Sequence, residues 1–219
     1  MKVIVTGATG MVGEGVMHIC LLNDDIEEVM VIGRRSCEVK HPKLKEIILP
    51  DLFNLTPVSS QLVGYDACYF CLGISSLGIS ADDYYRTTYT LTMHFGETLS
   101  KLNPQMTFCY ISGAGTDSTE NGGSRWARVK GKTENDLMKL PFRQVFAMRP
   151  GGIKSMKGMT RTNPYYKYFE WIFPIGRALY PAGFCTMEEL SNAMINLTQK
   201  GYHNKVIEGR DIIEISLNK

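Results

Sequence analysis

Thr6-Gly7-Ala8-Thr9-Gly10-Met11-Val12-Gly13 joins an apolar run, Lys2 to Thr6, to a helical pattern that runs from about Met11 to Leu22. Three glycines alone are a weak sign, but glycines that leave a strand and open a helix each have a reason. Gly7 permits a tight turn, Gly10 lets a pyrophosphate approach the backbone, and Gly13 lets helix and strand pack closely. N–H groups at the helix start, backed by the helix dipole, suit negative charge. The loop, with Thr6, Thr9, Met11 and Val12 beside its glycines, is therefore expected to bind a dinucleotide.

The same alternation continues outward. Val29 to Ile32 reads as a second buried strand and Glu46 to Leu49 as a third, followed by Ala67 to Leu72, Met106 to Ser112 and Gln144 to Met148. Helical patterns at Asp82 to Leu102 and Arg125 to Leu140 lie between the later strands. Apolar strands separated by helices predict an α/β, doubly wound parallel sheet covered on both faces, with ligands at the strands' carboxyl ends. Residues 153–185 break the alternation with prolines and an aromatic run from Tyr165 to Phe173, and are expected to form a small substrate-side cap. A closing helix at Met187 to Gln199 and a last strand at Ile212 to Ile215 would complete a single domain over residues 1–219.

Composition excludes several classes. A net charge of +2 gives no electrostatic footprint for nucleic acid, and no apolar run is long enough to span a bilayer. The opening residues enter the glycine loop too early for a signal peptide, so a cytoplasmic protein is expected. Six cysteines sit mostly in apolar runs, as buried thiols do in a reducing compartment. Cys68 and Cys71 have CxxC spacing, but on a strand residues three apart face opposite ways, and no metal site is expected.

At the end of the second strand an acidic residue accepts from the ribose 2′-hydroxyl of NAD, whereas a 2′-phosphate needs cations. Gly33-Arg34-Arg35 offers two guanidinium groups and no carboxylate. Forked, charge-assisted bonds from arginine suit a phosphate, so NADP is expected ahead of NAD.

These motifs resemble the short-chain dehydrogenase/reductase superfamily, in its extended and atypical branches. The glycine loop resembles its TGxxGxxG pattern, Asp51-Leu52 its adenine-contacting pair, and Cys71-Leu72-Gly73 its fourth-strand motif beside the cofactor. Ser112 closes the fifth strand, and Arg149-Pro150-Gly151-Gly152, leading to Ile153, is similar to the turn along the nicotinamide half. The pattern is similar to the atypical group that holds the Tat-interacting oxidoreductases, and to epimerase/dehydratase-like proteins. The resemblance implies an NAD(P)-binding Rossmann fold, catalytic roles for Ser112 and Lys130, and contact of Lys130 with the nicotinamide ribose.

The superfamily's tyrosine, four residues before its lysine, is replaced. Trp126-Ala127-Arg128-Val129-Lys130 puts an indole there, and an indole N–H donates without titrating near neutral pH. Tyr84, Tyr85, Tyr89, Tyr165, Tyr166 and Asp117 are candidate replacement acids, with the polar run from Thr116 to Ser124 read as a mobile loop over the site. Two functions remain open: an NADP-dependent oxidoreductase on a small carbonyl compound, or a protein that binds the dinucleotide without turnover and reports redox state to a partner. A nucleotide-sugar epimerase or dehydratase is a weaker third reading, because about sixty residues follow the sixth strand. A homodimer through the two long helices, or a protein partner on the aromatic run, is compatible with either of the first two.

Overall fold

The structure is a computed structural model that describes residues 1–161 and 166–218; of residues 166–172 the backbone alone is described. The apolar run before the glycine loop forms β1 (Lys2–Thr6), and the loop hands it directly to α1 (Met11–Leu22). Next come β2 (Glu28–Gly33), β3 (Leu44–Ile48) and β4 (Ala67–Phe70). The helical stretch that follows is one continuous rod in three parts: α2 (Ala81–Tyr85), a π-helical turn over Arg86–Thr90, and α3 (Leu91–Leu102). Ser80 starts it by accepting from the N–H of Asp83. The chain continues through β5 (Thr107–Ile111), α4 (Arg125–Leu137) and β6 (Gln144–Arg149).

All neighbours in the main sheet pair in parallel, in the order β3-β2-β1-β4-β5-β6. Because β1 lies between β2 and β4, the chain reverses its direction of winding there, and a crevice opens at the carboxyl ends. The period of two divides the core between the faces. Val3, Val5, Tyr69 and Cys109 pack with α1, while Ile4, Cys68, Phe70 and Phe108 pack with α3. Cys71 belongs with the first group and Cys68 with the second, so the CxxC pair straddles the sheet.

The third strand begins two residues ahead of the expected start, and α4 ends at Leu137 rather than Leu140. The largest departure lies near the carboxyl end. Residues 153–185 contain β7 (Gly152–Lys154), α5 (Tyr166–Leu179) and β8 (Phe184–Thr186), and β7 and β8 form a separate two-stranded parallel sheet. After α6 (Met187–Lys200) the seventh strand of the main sheet is β9 (Val206–Glu208), paired with β6. Ile212 to Ile215, expected as that strand, belongs instead to α7 (Gly209–Leu217). A run rich in isoleucine reads as a strand, but Ile212 and Ile215 are three apart, both buried on one helix face against α6. Glu208 and Asp211 form a reciprocal cap that starts this helix.

Candidate functional site

The glycine loop is shaped from inside by two of its glycines. Gly7 has φ 72°, a left-handed conformation, and a Cβ there would lie 2.7 Å from the Cys71 carbonyl oxygen. A Cβ on Gly13 would come within 2.2 Å of the Gly7 oxygen, so helix and turn could not meet. Gly10 differs: the nearest atom to a Cβ is the Gly7 oxygen at 3.5 Å, an ordinary contact. Nothing in the protein demands glycine there, and Gly10 faces a cleft of about 540 Å³. Gly73, on the opposite wall, likewise has nothing within 4 Å of a Cβ. Both open spaces belong to whatever enters the cleft, and a pyrophosphate pressed to the backbone fits them. Gly10 also caps α1 without a side-chain bond, which leaves the first-turn N–H groups for an anion.

The cleft brings together Gly7, Thr9, Gly10, Arg34, Asp51, Leu52, Cys71, Leu72 and Gly73. Arg35 borders a smaller adjoining hollow with Gly33 and Arg34. Neither guanidinium has a hydrogen-bond or ion-pair partner among the described residues. Asp51 turns its carboxylate to the N–H of Phe53, fixing the loop after β3. Thr6 is fully buried and does not face the cleft; its Oγ1 accepts from the N–H groups of Cys71 (3.1 Å) and Leu72 (3.3 Å), locking the ends of β1 and β4 together. Met11 and Val12 are half-buried and pack against the core cluster beside α1.

Arg86 and Thr87, on the π turn, also line the cleft, and the Arg86 guanidinium lies 4.8 Å from the centre of the Phe53 ring. Sequence reading missed both residues. A π turn inside a helix frequently marks a functional site, but nothing in the local pattern at Arg86–Thr90 announces it.

Ser112 and Lys130, expected as catalytic residues, are not among the residues that line the cleft; they meet where the end of β5 approaches α4. Ser112 is buried just past β5, and its N–H donates to the Met148 oxygen. Its Oγ lies 2.9 Å from Thr116 Oγ1, and Thr116 in turn donates to the Gly113 oxygen. Since the Thr116 proton is committed, Ser112 is the donor of that pair, and what it has left toward a ligand is lone pairs. Lys130 Nζ donates to the carbonyl oxygens of Ile111 and Ser112, both at 3.2 Å, and sits 5.3 Å from the Tyr110 ring centre. Burial lowers its pKa to about 8, against a raising influence from Glu134 one turn along the helix. Trp126 lies one turn before Lys130, against Gly115.

Arg149, expected in the turn along the nicotinamide half, sends its side chain elsewhere. Its guanidinium meets both carboxylate oxygens of the buried Glu134 and the hydroxyl of Ser118. Pro150 accepts from the N–H of Ala114, Gly151 lies so close to the Gly183 oxygen that a Cβ would stand 2.2 Å away, and Ile153 is buried in β7. These three hold the second sheet to the loop after β5, outside the residues that line the cleft.

The replacement acids do not gather there either. Tyr84 is buried, Tyr85 stacks on Tyr89 with ring centres 4.8 Å apart, and the Tyr89 hydroxyl donates to Asp136. Tyr165 lies outside the described residues, as does the side chain of Tyr166. Asp117 accepts from Thr119 and from the N–H of Gly122, which hold its pKa below the ordinary carboxylate range. The run from Thr116 to Ser124 is thus a folded turn around Asp117, fastened to Arg149 through Ser118.

Comparison with known proteins agrees with this geometry. The model of the NAD dependent epimerase/dehydratase family matches residues 3–122, more than half of the chain. The chain belongs to this family. The matched residues hold the glycine loop, the paired arginines and Ser112. The fold is that of the short-chain dehydrogenases: a protein of that family from Francisella tularensis superposes with a TM-score of 0.63 at 16% identity, covering 91% of each chain. The UDP-glucuronic acid 4-epimerase of Bacillus cereus, solved in complex with NAD, gives 0.67 at 17% identity, covering 98% of this chain and 81% of that one.

Among curated relatives, Protein FMP52, mitochondrial, of Kluyveromyces lactis is 24% identical over 177 residues, which cover 78% of this chain and 76% of that protein. Protein FMP52-2, mitochondrial, of Scheffersomyces stipitis is 26% identical over 152 residues, covering 67% of this chain and 64% of that protein. These relatives are named as mitochondrial proteins, which contradicts the cytoplasmic expectation. The expectation rested on the lack of an apolar leader, and a compartment is not written in that lack. No helix among the described residues is long and apolar enough to cross a membrane.

Proposed function

We propose that the protein binds NADP(H) in this cleft and acts as an oxidoreductase on a small carbonyl compound. The observation that carries the NADP(H) preference is the pair of guanidinium groups at Gly33-Arg34-Arg35, without a partner among the described residues, one lining the cleft and both bordering the hollow beside it. The start of α1 and the open face of Gly10 would hold the pyrophosphate. Asp51, Leu52, Phe53 and Arg86 would frame the adenosine end, and Lys130 would reach a ribose hydroxyl. The bound dinucleotide supplies a hydride or accepts one; Ser112, with its proton committed to Thr116, offers lone pairs to a substrate hydroxyl.

Calorimetric titration with NADPH and NADH tests the preference. In the double variant Arg34→Asp, Arg35→Ser, NADPH affinity should fall by roughly a hundredfold while NADH affinity changes little, in line with the 1.5–3 kcal/mol of hydrogen bonds to charged groups. Undiminished NADPH binding by the variant would overturn this account of the arginines.

A second reading, binding without turnover, is favoured by Trp126, which cannot pass a proton in a tyrosine's manner. Oxidation of NADPH against a panel of aldehydes and ketones separates the two. Turnover supports the oxidoreductase, and tight binding with none supports a redox reporter.

A further inference from the structure

The sheet carries a second recess, away from the dinucleotide cleft. Where the chain passes from α4 to β6 and from α6 to β9, it leaves a hollow of about 120 Å³. Gln144 opens β6 and Lys205 immediately precedes β9, so the hollow lies at the strands' amino ends, opposite the crevice. Its walls are fixed by the fold. The Lys205 carbonyl oxygen accepts from the N–H of Ala147 at 2.9 Å, which seats the loop before β9 on β6. Gly201 turns the chain after α6 with φ 70°, so close to Gln144 that a Cβ would stand 2.5 Å from its Nε2. The Phe142 ring packs with its centre 5.2 Å from that of Phe108 in the core.

Two kinds of side chain line this hollow. Leu140, Phe142, Val145 and Phe146 give it an apolar floor. Arg143, His203 and Lys205 line it as well and are exposed, and none of the three has a hydrogen-bond or ion-pair partner among the described residues. No carboxylate among the described residues lines it. The acids on the neighbouring elements are engaged: Asp136 holds Lys132 and Lys139, and Asp211 accepts from the Tyr202 hydroxyl and from the N–H of Glu208. Cationic groups are therefore gathered beside apolar surface with no counter-charge between them, and an anion placed there would be attracted by each.

We propose that this hollow binds a small aromatic carboxylate, with the ring on the floor made by Phe142 and Val145 and the carboxylate between Arg143 and Lys205. Charge and shape each narrow the choice. A bare phosphate would satisfy the cations and leave the floor wet, whereas a hydrocarbon would cover the floor and leave the cations without an anion. A molecule with one apolar end and one carboxylate does both, and a guanidinium meets a carboxylate by two parallel bonds. Size sets the apolar end: a closed cavity of about 150 Å³ holds a benzene ring, so a hollow of about 120 Å³ with its cations exposed takes one ring and leaves the acid group at the mouth. The site is separate from the cleft and holds whichever dinucleotide the cleft prefers.

A titration followed by the backbone amide resonances of the ¹⁵N-labelled protein tests it. The probe is benzoate, with benzamide as its uncharged match and inorganic phosphate as the charge without the ring. Benzoate should bind with a Kd on the order of 1 mM, as suits so small a ligand, and should shift the amides of Gln144, His203 and Lys205 while leaving those of Gly7 and Gly10 in place. In the double variant Arg143→Gln, Lys205→Gln, which removes two exposed charges without a partner among the described residues, benzoate should bind roughly tenfold more weakly. Benzamide should bind the wild type roughly tenfold more weakly than benzoate does, a comparison that needs no variant to fold. The absence of shifts at those three amides with about 20 mM benzoate overturns the proposal. So does undiminished binding by the double variant, or benzamide or phosphate binding as well as benzoate. An acidic peptide with one phenylalanine that binds at the same amides more tightly than benzoate also overturns it, and assigns the hollow to a protein partner.

Discussion

Arg86 shows how a single side chain acquires a role that its neighbours in sequence do not announce. It stands on the wall of the cleft with its guanidinium over the Phe53 ring, and an arginine stacked on an aromatic face is pre-organised at little entropic cost. Arg86→Ala removes a cation from the wall of the cleft and frees Phe53. Affinity for NADPH should drop about three- to tenfold, with the melting temperature of the unliganded protein almost unchanged, because the pair is surface-facing and worth on the order of 0.5–1 kcal/mol. Calorimetry beside thermal denaturation reads both, and an Arg86→Ala protein that binds NADPH as tightly as the wild type removes Arg86 from the site. The glycines were legible because each answers a local demand of backbone geometry. Arg86 was not, because its exposure to the cleft depends on how a helix 80 residues from β1 lies across the sheet.

At the scale of the element, α4 carries most of the consequences. Lys130 can face the end of β5 because the helix approaches the loop so closely that a Cβ on Gly131 would lie 1.8 Å from the Asp117 oxygen. Glu134 is then buried against Arg149, a pair whose chief effect is positional: removing either partner would strand a buried charge, at about 3–5 kcal/mol. On the outer face Asp136 holds Lys132, Lys139 and the Tyr89 hydroxyl, tying α4 to the π turn. These partners push the Asp136 pKa well below its ordinary value. A depressed carboxylate stabilises the fold above its unfolded pKa of about 3.9, and that contribution is lost as pH falls through the lower folded value. Asp136→Asn should therefore cost about 1–2 kcal/mol at pH 7, with the lysines partly exposed, and its deficit against the wild type should shrink below pH 4. Denaturant titrations at pH 7 and pH 3 measure the two gaps; an equal gap at both would exclude the charge as the cause. The helix itself was legible from its periodicity, but the pairing of Arg149 with Glu134 joins a strand to a helix and no local pattern encodes it.

At the scale of the whole molecule, the first six strands were readable in order because buried parallel strands are short apolar runs between helices. The carboxyl-terminal third was misread where a helix and a strand share the same residue types, as at Ile212 to Ile215, and where a second small sheet replaces the alternation. What joins that third to the dinucleotide half is a clasp on the first helix. Glu14, buried in the opening turn of α1, accepts from the N–H and hydroxyl of Thr160 and from the N–H of Arg161, all at 2.8 Å. Arg161 then reaches Glu38 in the loop that follows the paired arginines. Replacing Glu14 by alanine leaves the Thr160 and Arg161 N–H groups without their acceptor, and each such loss costs about 1–3 kcal/mol. The strap from 155 to 161 should then exchange its amide hydrogens much faster, while β1, β4 and β5 keep their protection, because local opening does not require the sheet to unfold. Since the strap ends on the same loop as Arg34 and Arg35, NADPH affinity should weaken several-fold in the same variant. Hydrogen exchange resolved by residue decides the point: unchanged protection at Thr160 and Arg161 would mean that the strap is held by its own packing, and the link between the two halves would have to be sought in β7 and β8 instead.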